Sequence, residues 1–225
     1  MLPWTVLGSA RVPGDGEELR LLRRGSEYSI RVGAYELMNN RIHASEDALA
    51  SLVCERLDAP HAARVLIGGL GMGFTLAGVL RGVGAKADVV VAELVPEVVA
   101  WNRGPLSEVA GNPLADRRVT VHEGDVAEPI RNARAAWNAI ILDVDNGPVA
   151  LTAKNNQWLY TPAALRAAHA ALRPRGMLAV WSAAPEPAFP RRLQQAGFTV
   201  EEIPVRGRAS GRGPRYLVWI ARAGR

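Results

Sequence analysis

The sequence predicts an α/β fold, in which helices cover a mostly parallel sheet and a small β appendage comes first. From residue 64 onward, short apolar runs alternate with helical patterns, as is typical of a parallel sheet buried on both faces. A glycine-rich turn follows the first run, and the loop between the last two runs is too short for a helical crossover. We therefore expect a Rossmann-like domain whose last strand is reversed.

The individual elements follow from the same alternation. The predicted strands are residues 65–68, 89–93, 119–122, 139–143, 177–181, 199–205 and 216–221, and the predicted helices lie near 73–82, 95–103, 125–133, 161–172 and 187–196. Five parallel strands closed by an antiparallel pair correspond to the class I methyltransferase variant of the doubly wound fold.

A small antiparallel unit is predicted ahead of this domain. Residues 18–38 form short alternating runs broken by glycines, which is typical of hairpins. Ser45 is followed by two acids, a pattern that favours a helix N-terminus. We place the β appendage at residues 1–44 and the Rossmann-like domain at residues 45–225.

Composition narrows the class of protein. The chain has 225 residues and one cysteine, Cys54, which excludes an internal disulfide framework and a multi-thiolate metal site. The four histidines lack metal-ligand spacing, so we expect no metal. No apolar run reaches the roughly 18 residues of a membrane span, and residues 1–11 lack the pattern of a signal peptide. We expect a cytoplasmic enzyme with no membrane contact.

The formal net charge is +5, and almost all of the basic residues are arginines. Arginines gather near the carboxyl end, at Arg206, Arg208, Arg212 and Arg215. A nucleic-acid patch is one interpretation, but no aromatic residues interleave with these arginines as stacking platforms. A solvated hairpin loop is the favoured interpretation, and nucleic acid is not the expected partner.

The glycine-rich turn predicts a nucleoside site. Gly68, Gly69, Gly71 and Gly73 stand where the first parallel strand turns into a helix, and a bound nucleoside approaches such a backbone too closely for a Cβ. The spacing is G-x-G-x-G, whereas the dinucleotide form would need glycine at Phe74. This spacing favours a nucleoside sulfonium over NAD.

Acids follow the next two strands. Glu93 ends the second strand, where a carboxylate can accept both hydroxyls of a ribose; the alternative is a surface acid at a strand end. Asp125 follows the third strand and can accept a hydrogen bond from an adenine amino group; the alternative is a helix N-cap. Because ligands of open α/β sheets bind beyond the carboxyl ends of the strands, we predict that both acids hold the donor.

Asp143 closes the fourth strand, at the place where the reacting group is expected. A carboxylate there can take a proton from an attacking amine or orient it. The alternative is that Asp143 only ties down the loop at residues 144–158, which is long for a βα connection and is predicted to be a lid. We predict that Asp143 is the catalytic base.

Several segments of the chain follow the pattern of a known family. They are residues 65–73, 93–98, 124–125, 159–160 and 173–176 together with Asp143, and the β appendage and its helix fit as well. Together they resemble the spermidine synthase (polyamine aminopropyltransferase) family. The resemblance implies that the glycine motif, Glu93 and Asp125 hold S-adenosylmethionine or decarboxylated S-adenosylmethionine, and that Asp143 is the base on a small acceptor. On the acceptor side we expect contacts from Asp145, Asn146, Trp158 and Tyr160. The resemblance also implies a homodimer.

The chain departs from the family pattern at several positions. The family's glycine motif usually holds an aspartate, which contacts the donor's amine, where Gly71 stands. In the fourth-strand motif the second aspartate is displaced to Asp145, with Asn146 in its place. Arg41 and Ala44 replace an aspartate and a tyrosine that meet the polyamine. The donor half of the site is therefore kept, and the acceptor half is rebuilt.

The leading hypothesis is a transferase that moves a methyl or aminopropyl group to a small amine other than putrescine. Methyl transfer is favoured because the donor-amine aspartate is missing. Three alternatives stay open. They are a true spermidine synthase with an altered acceptor pocket, a non-catalytic nucleoside-binding dimerisation module, and an RNA or DNA methyltransferase supported only by the carboxyl-terminal arginines.

Overall fold

The computed structural model describes residues 2–14, 16–144, 147–148, 158–210 and 213–224. The predicted appendage is an antiparallel sheet of four strands in chain order. These are β1 (Thr5–Arg11), β2 (Glu18–Arg24), β3 (Glu27–Val32) and β4 (Tyr35–Asn39). The last three correspond to the predicted runs, whereas β1 was not predicted.

The missed strand has an irregular sequence. Gly8 interrupts its alternation, and the pairing register of β1 with β2 shifts between Val6 and Gly8. A Cβ at Gly8 would lie 2.7 Å from Nε1 of Trp101, so the strand needs glycine to approach this side chain. The tertiary contact with Trp101, which the local pattern does not contain, therefore explains the glycine.

The main domain contains six helices and seven strands within the described residues. The helices are α1 (Ala44–Cys54), α2 (Phe74–Gly82), α3 (Pro96–Arg103), α4 (Ala127–Arg131), α5 (Pro162–Ala171) and α6 (Phe189–Gln195). The strands are β5 (Arg64–Gly68), β6 (Asp88–Glu93), β7 (Val119–Glu123), β8 (Trp137–Leu142), β9 (Leu172–Ser182), β10 (Phe198–Arg206) and β11 (Arg215–Ala223).

The strand order of this sheet is β10-β11-β9-β8-β5-β6-β7. Strands β5 to β9 are parallel to one another, and β11 is antiparallel to both β9 and β10. The predicted α/β fold, with a mostly parallel sheet and a reversed last strand, is confirmed.

Strand β5 lies in the middle of the parallel part and is apolar on both faces. Val65 and Ile67 belong to the core layer that contains residues of α1, α2, α3 and the appendage. Leu66 belongs to the opposite layer, which contains residues of α4, α5 and α6. All three side chains are completely buried, as expected for a central parallel strand. In the described part of the chain, no helix is long and apolar enough to cross a lipid bilayer.

Candidate active site

A cleft opens beyond the carboxyl ends of the central strands, where open α/β sheets bind ligands. Gly69 follows β5, Glu93 ends β6, Gly124 follows β7 and Asp143 follows β8, and all four residues line the cleft. Apolar side chains of the appendage form another wall: Leu19, Ile30, Val32, Leu37 and Met38. The cleft has an empty volume of about 1330 Å³, continuous with solvent.

Two of the predicted glycines line the cleft. Gly69 has a φ of 91°, and a Cβ there would lie 2.2 Å from the carbonyl oxygen of Asp143, so only glycine fits. Gly71 has a φ of 52°, and a Cβ there would lie 2.7 Å from Sδ of Met38. The glycine turn therefore lets the backbone pass close to Asp143 and to the appendage.

The other two predicted glycines are not lining residues. Gly68 packs against Val126, whose Cγ2 would be 2.9 Å from an added Cβ. Gly73 has a φ of 86° and forms the N-cap of α2. Both glycines shape the turn from strand to helix, and direct contact of either one with a donor stays a prediction.

Glu93 is held rigidly in the cleft wall. The residue is 8% exposed, its Oε2 accepts a hydrogen bond from the Leu70 N–H at 2.9 Å, and its Oε1 accepts one from the Val95 N–H at 2.9 Å. Each carboxylate oxygen can accept more than one hydrogen bond. A carboxylate fixed in this way suits the predicted ribose role, since it can also accept ligand hydroxyls.

Asp125 lines the cleft at the start of α4. Its Oδ1 accepts a hydrogen bond from the Ala127 N–H at 2.8 Å, so the side chain stabilises the turn before α4, although the N-cap residue of this helix is Val126. The adenine role of Asp125 stays a prediction alongside this structural role.

Asp143 lines the cleft opposite the glycine turn and is half-buried. Its backbone N–H donates to the Gly68 carbonyl at 2.9 Å, and its Oδ2 accepts a hydrogen bond from the Thr75 hydroxyl at 2.5 Å. Burial raises the pKa of Asp143 from its ordinary value of 3.8 to about 6, against the opposing effect of the Thr75 hydrogen bond. A carboxyl group with this pKa can exchange a proton near neutral pH.

The structure adds a second carboxyl group that the sequence analysis explained only as a helix-start acid. Glu46 of α1 lines the same cleft and is 9% exposed. The Ser45 hydroxyl donates to its Oε2. Burial and repulsion by Asp143 raise the pKa of Glu46 from its ordinary value of 4.5 to about 7, although the Ser45 hydrogen bond lowers it. No local sequence signal marked this meeting of α1 and β8.

The charges around the cleft are of one sign. Its acidic lining residues are Glu17, Glu46, Glu93, Asp125 and Asp143. Among the described residues that line it, none is an arginine, lysine or histidine. The cleft therefore favours cationic ligands and disfavours anionic ones.

The predicted acceptor residues are placed elsewhere or fall outside the described residues. The ring of Trp158 lies 3.7 Å from the Arg131 guanidinium, and Tyr160 is buried with its ring edge-on to Phe189 at 5.8 Å. Neither Trp158 nor Tyr160 lines the cleft, because both belong to the core layer on the α4–α6 side of the sheet.

Asp145, Asn146 and most of the predicted lid at residues 144–158 lie outside the described residues. The acceptor roles of Asp145, Asn146, Trp158 and Tyr160 therefore stay predictions.

Arg41, expected to repel a polyamine, is also outside the cleft lining. Its guanidinium binds the Glu27 carboxylate at 2.6 Å on the exposed side of the appendage. Ala44 does not line the cleft either. The electrostatic argument against a polyamine acceptor thus loses its support. The described residues contain no group of three or more His, Cys, Asp or Glu side chains placed to hold a metal ion.

Comparison with known proteins gives a clear result for the fold alone. No protein-family model matches the sequence, and no curated protein matches it. A crystal structure of a spermidine synthase in complex with the transition-state analogue AdoDATO aligns with a TM-score of 0.74 and 18% identity, over 97% of this chain and 72% of that one.

Two further solved structures agree with this match. Spermidine synthase from Thermotoga maritima gives a TM-score of 0.75 and 18% identity, over 97% of this chain and 73% of that one. A probable spermidine synthase from Corynebacterium glutamicum ATCC 13032 gives a TM-score of 0.67 and 14% identity, over 97% and 79%. Since the alignments include the appendage as well as the main domain, this chain has a spermidine synthase-like fold.

Proposed function

We propose that this chain is a transferase that uses an S-adenosyl sulfonium donor to alkylate a small, cationic amine. The observation that carries the proposal is the arrangement of Glu93 and Asp143 around the glycine turn. Strands β6 and β8 flank β5, so the two carboxylates face the turn at Gly69 from either side. Glu93 suits a ribose, and Asp143 suits the removal of a proton.

The acidic lining supports a cationic donor and favours its decarboxylated form. A sulfonium ion is stabilised by nearby carboxylates. The carboxylate of S-adenosylmethionine would enter a cleft whose described lining has five acids and no basic side chain. Decarboxylated S-adenosylmethionine lacks that carboxylate, so aminopropyl transfer is the leading form of the proposal.

Methyl transfer from S-adenosylmethionine is the second candidate, and the Gly71–Met38 contact favours it. The thioether of Met38 occupies the space that a side chain at position 71 would need. The sequence has Gly71 where the family's motif holds the aspartate that contacts the aminopropyl nitrogen, and the apolar Met38 side chain fills the space beside it. Loss of that contact weakens the case for an aminopropyl donor.

The chemistry asked of the protein is mainly positioning. The sulfonium donor is already reactive, so the protein has to hold the nucleophile in line and remove its proton. The apolar appendage wall makes the surroundings of the carboxylates less polar on that side of the cleft, which strengthens their electrostatic effect.

Titration calorimetry tests the donor assignment. We expect decarboxylated S-adenosylmethionine and methylthioadenosine to bind, S-adenosylmethionine to bind more weakly than its decarboxylated form, and NAD not to bind. Tighter binding of S-adenosylmethionine than of the decarboxylated form would replace aminopropyl transfer by methyl transfer. Binding of NAD without binding of any of the three sulfonium-related nucleosides would overturn the proposed function.

A further inference from the structure

The turn that follows β5 contains three glycines in the left-handed region of backbone conformation. The φ angle is 91° at Gly69, 52° at Gly71 and 86° at Gly73. Glycine adopts such angles without strain, but it also has more alternative conformations than any other residue. Because three of them fall in so short a segment, the local sequence does not fix the shape of this turn. Contacts with the rest of the protein have to hold it.

Two side chains from other elements bind the backbone of the turn. Glu93, at the end of β6, accepts a hydrogen bond from the Leu70 N–H at 2.9 Å. Asn102, in the last turn of α3, donates from its Nδ2 to the Gly71 carbonyl oxygen at 2.8 Å. Glu93 lines the cleft, whereas Asn102 does not. Asn102 therefore acts on a ligand in the cleft through the turn and not by direct contact.

Asn102 is a polar side chain in an apolar place. It is 2% exposed, and the other buried side chains of α3 are those of Val98, Val99 and Trp101. A buried amide is unfavourable unless it is hydrogen-bonded. Its Nδ2 has two N–H groups, and besides Gly71 it donates to the Val98 carbonyl at 2.9 Å. A leucine of similar volume would pack there without a polar group to bury, so the contact with the turn is what asparagine adds.

The same amide also packs against the last glycine of the turn. Its Oδ1 lies 3.2 Å from the position that a Cβ at Gly73 would take, and Gly73 is the N-cap residue of α2. Two residues further on, Thr75 holds the Asp143 carboxylate. Asn102 thus contacts the turn at Gly71 and Gly73, from the side of α3, while the start of α2 contacts Asp143.

We propose that Asn102 is a positioning residue for the donor, because it holds the Gly71 carbonyl and so fixes the glycine turn in the shape that receives the nucleoside. This inference rests on the proposed function. Without the bond, α3 still packs through its apolar side chains, but the turn samples other conformations. The affinity for a nucleoside then falls in proportion to the fraction of molecules whose turn has the competent shape.

Calorimetry with methylthioadenosine and amide hydrogen exchange, both on the full chain, test the inference in Asn102→Leu. We expect the affinity to fall roughly 10- to 100-fold, which corresponds to a competent fraction of about 10% to 1%. The N–H groups of Gly69 and Gly73, which donate to the Ala92 and Leu70 carbonyls at 2.8 Å, should exchange faster than in wild type. Asn102→Ser should behave in the same way, since its single hydroxyl donor bonds within its own helix.

Val99→Ala is the matched control, since it removes packing from the same helix at a completely buried position that does not line the cleft. It should lower the free energy of unfolding but leave the nucleoside affinity and the exchange of the turn unchanged. Wild-type affinity in Asn102→Leu, or an equal loss of affinity in Val99→Ala, would overturn the inference. Failure of methylthioadenosine to bind the wild type would instead overturn the proposed function, and the exchange rates at Gly69 and Gly73 would still show whether Asn102 holds the turn.

Discussion

Thr75, in the first turn of α2, donates a 2.5 Å hydrogen bond to the Asp143 carboxylate. The bond favours the ionised carboxylate, whereas burial disfavours it, and the pKa of Asp143 lies at about 6 as a result. A general base works best when its pKa is near the operating pH. Thr75, which comes shortly after the glycine-rich turn, thus influences the pKa of the Asp143 side chain at the end of β8.

Thr75→Val should move the acid side of the rate profile. The substitution removes the hydroxyl with little change in shape, so the ionised form of Asp143 loses a hydrogen bond. We expect the pKa that limits kcat/KM on the acid side to rise by about one, the equivalent of roughly 1.4 kcal/mol. Thr75→Ser keeps the hydroxyl and should keep the wild-type profile. Identical pH profiles for wild type and Thr75→Val would argue against Asp143 as the base.

Glu93→Gln should impair both donor binding and stability. The amide keeps one acceptor oxygen, so one of the N–H groups of Leu70 and Val95, or a ligand hydroxyl, loses its partner. We expect methylthioadenosine affinity to fall by about 1 to 3 kcal/mol and stability by about 1 to 2 kcal/mol. Calorimetry and urea unfolding measure the two effects.

The control for this variant is Glu123→Gln, on the next strand, where the carboxylate pairs with Arg103 at 3.4 Å outside the cleft lining. Glu123→Gln should change neither the affinity for methylthioadenosine nor the free energy of unfolding appreciably. A donor affinity that survives Glu93→Gln while Glu123→Gln reduces it would contradict the placement of the donor.

The ligand-free protein should lose stability as pH rises from about 4 to about 7. Glu46 and Asp143 have pKa values raised above those of the unfolded chain, so in this window the folded state binds more protons than the unfolded state. The stabilising effect is complete below the unfolded pKa values and disappears as pH rises through the folded ones.

Glu46→Gln should remove about half of this pH dependence, because the pKa of Asp143 is raised by a similar amount and by its own burial. The variant should be about 1 to 3 kcal/mol more stable than wild type at pH of about 8, and close to it at pH of about 5. Urea unfolding at the two pH values measures the difference. A variant less stable than wild type at both pH values would show that the Glu46 carboxylate is not disfavoured by its surroundings.

Gly69→Ala should be far more harmful than a comparable substitution in open space. A Cβ at Gly69 meets the Asp143 carbonyl oxygen at 2.2 Å, whereas Gly111 has a φ of 77° and a Cβ added there would meet nothing within 4 Å. Gly111→Ala should cost about 1 to 2 kcal/mol for backbone strain alone. Gly69→Ala should cost roughly 3 kcal/mol or more, and should also weaken methylthioadenosine binding. Similar unfolding free energies for the two variants would contradict the tight packing at Gly69.

The main domain could be predicted because its signals are local. Central strands such as β5 are apolar on both faces, and the hairpin at β10 and β11 has a loop too short for any other connection. One edge of the sheet could also be predicted to hold the glycine turn, Glu93, Asp125 and Asp143, because each of them comes at the carboxyl end of a predicted parallel strand. Their contacts with a ligand, and the homodimer, stay predictions.

What the sequence did not predict depends on contacts between distant segments. Glu46 looks like an ordinary first-turn acid, and only the packing of α1 brings it into the cleft with Asp143. Met38 fills the space beside Gly71, and this contact depends on how the appendage packs against the main domain. Tyr160 resembles a family position, but its ring is buried against Phe189. Local pattern does not contain this information.

The most direct test of the central claim is a transfer assay with decarboxylated S-adenosylmethionine and a panel of primary amines, in which release of methylthioadenosine is measured for wild type and Asp143→Asn. We predict release by the wild type with at least one amine, and a turnover about 10² to 10⁴ lower in Asp143→Asn, with donor affinity nearly unchanged. Equal turnover by the two proteins would contradict the account, because Asp143 would then serve only to position its loop.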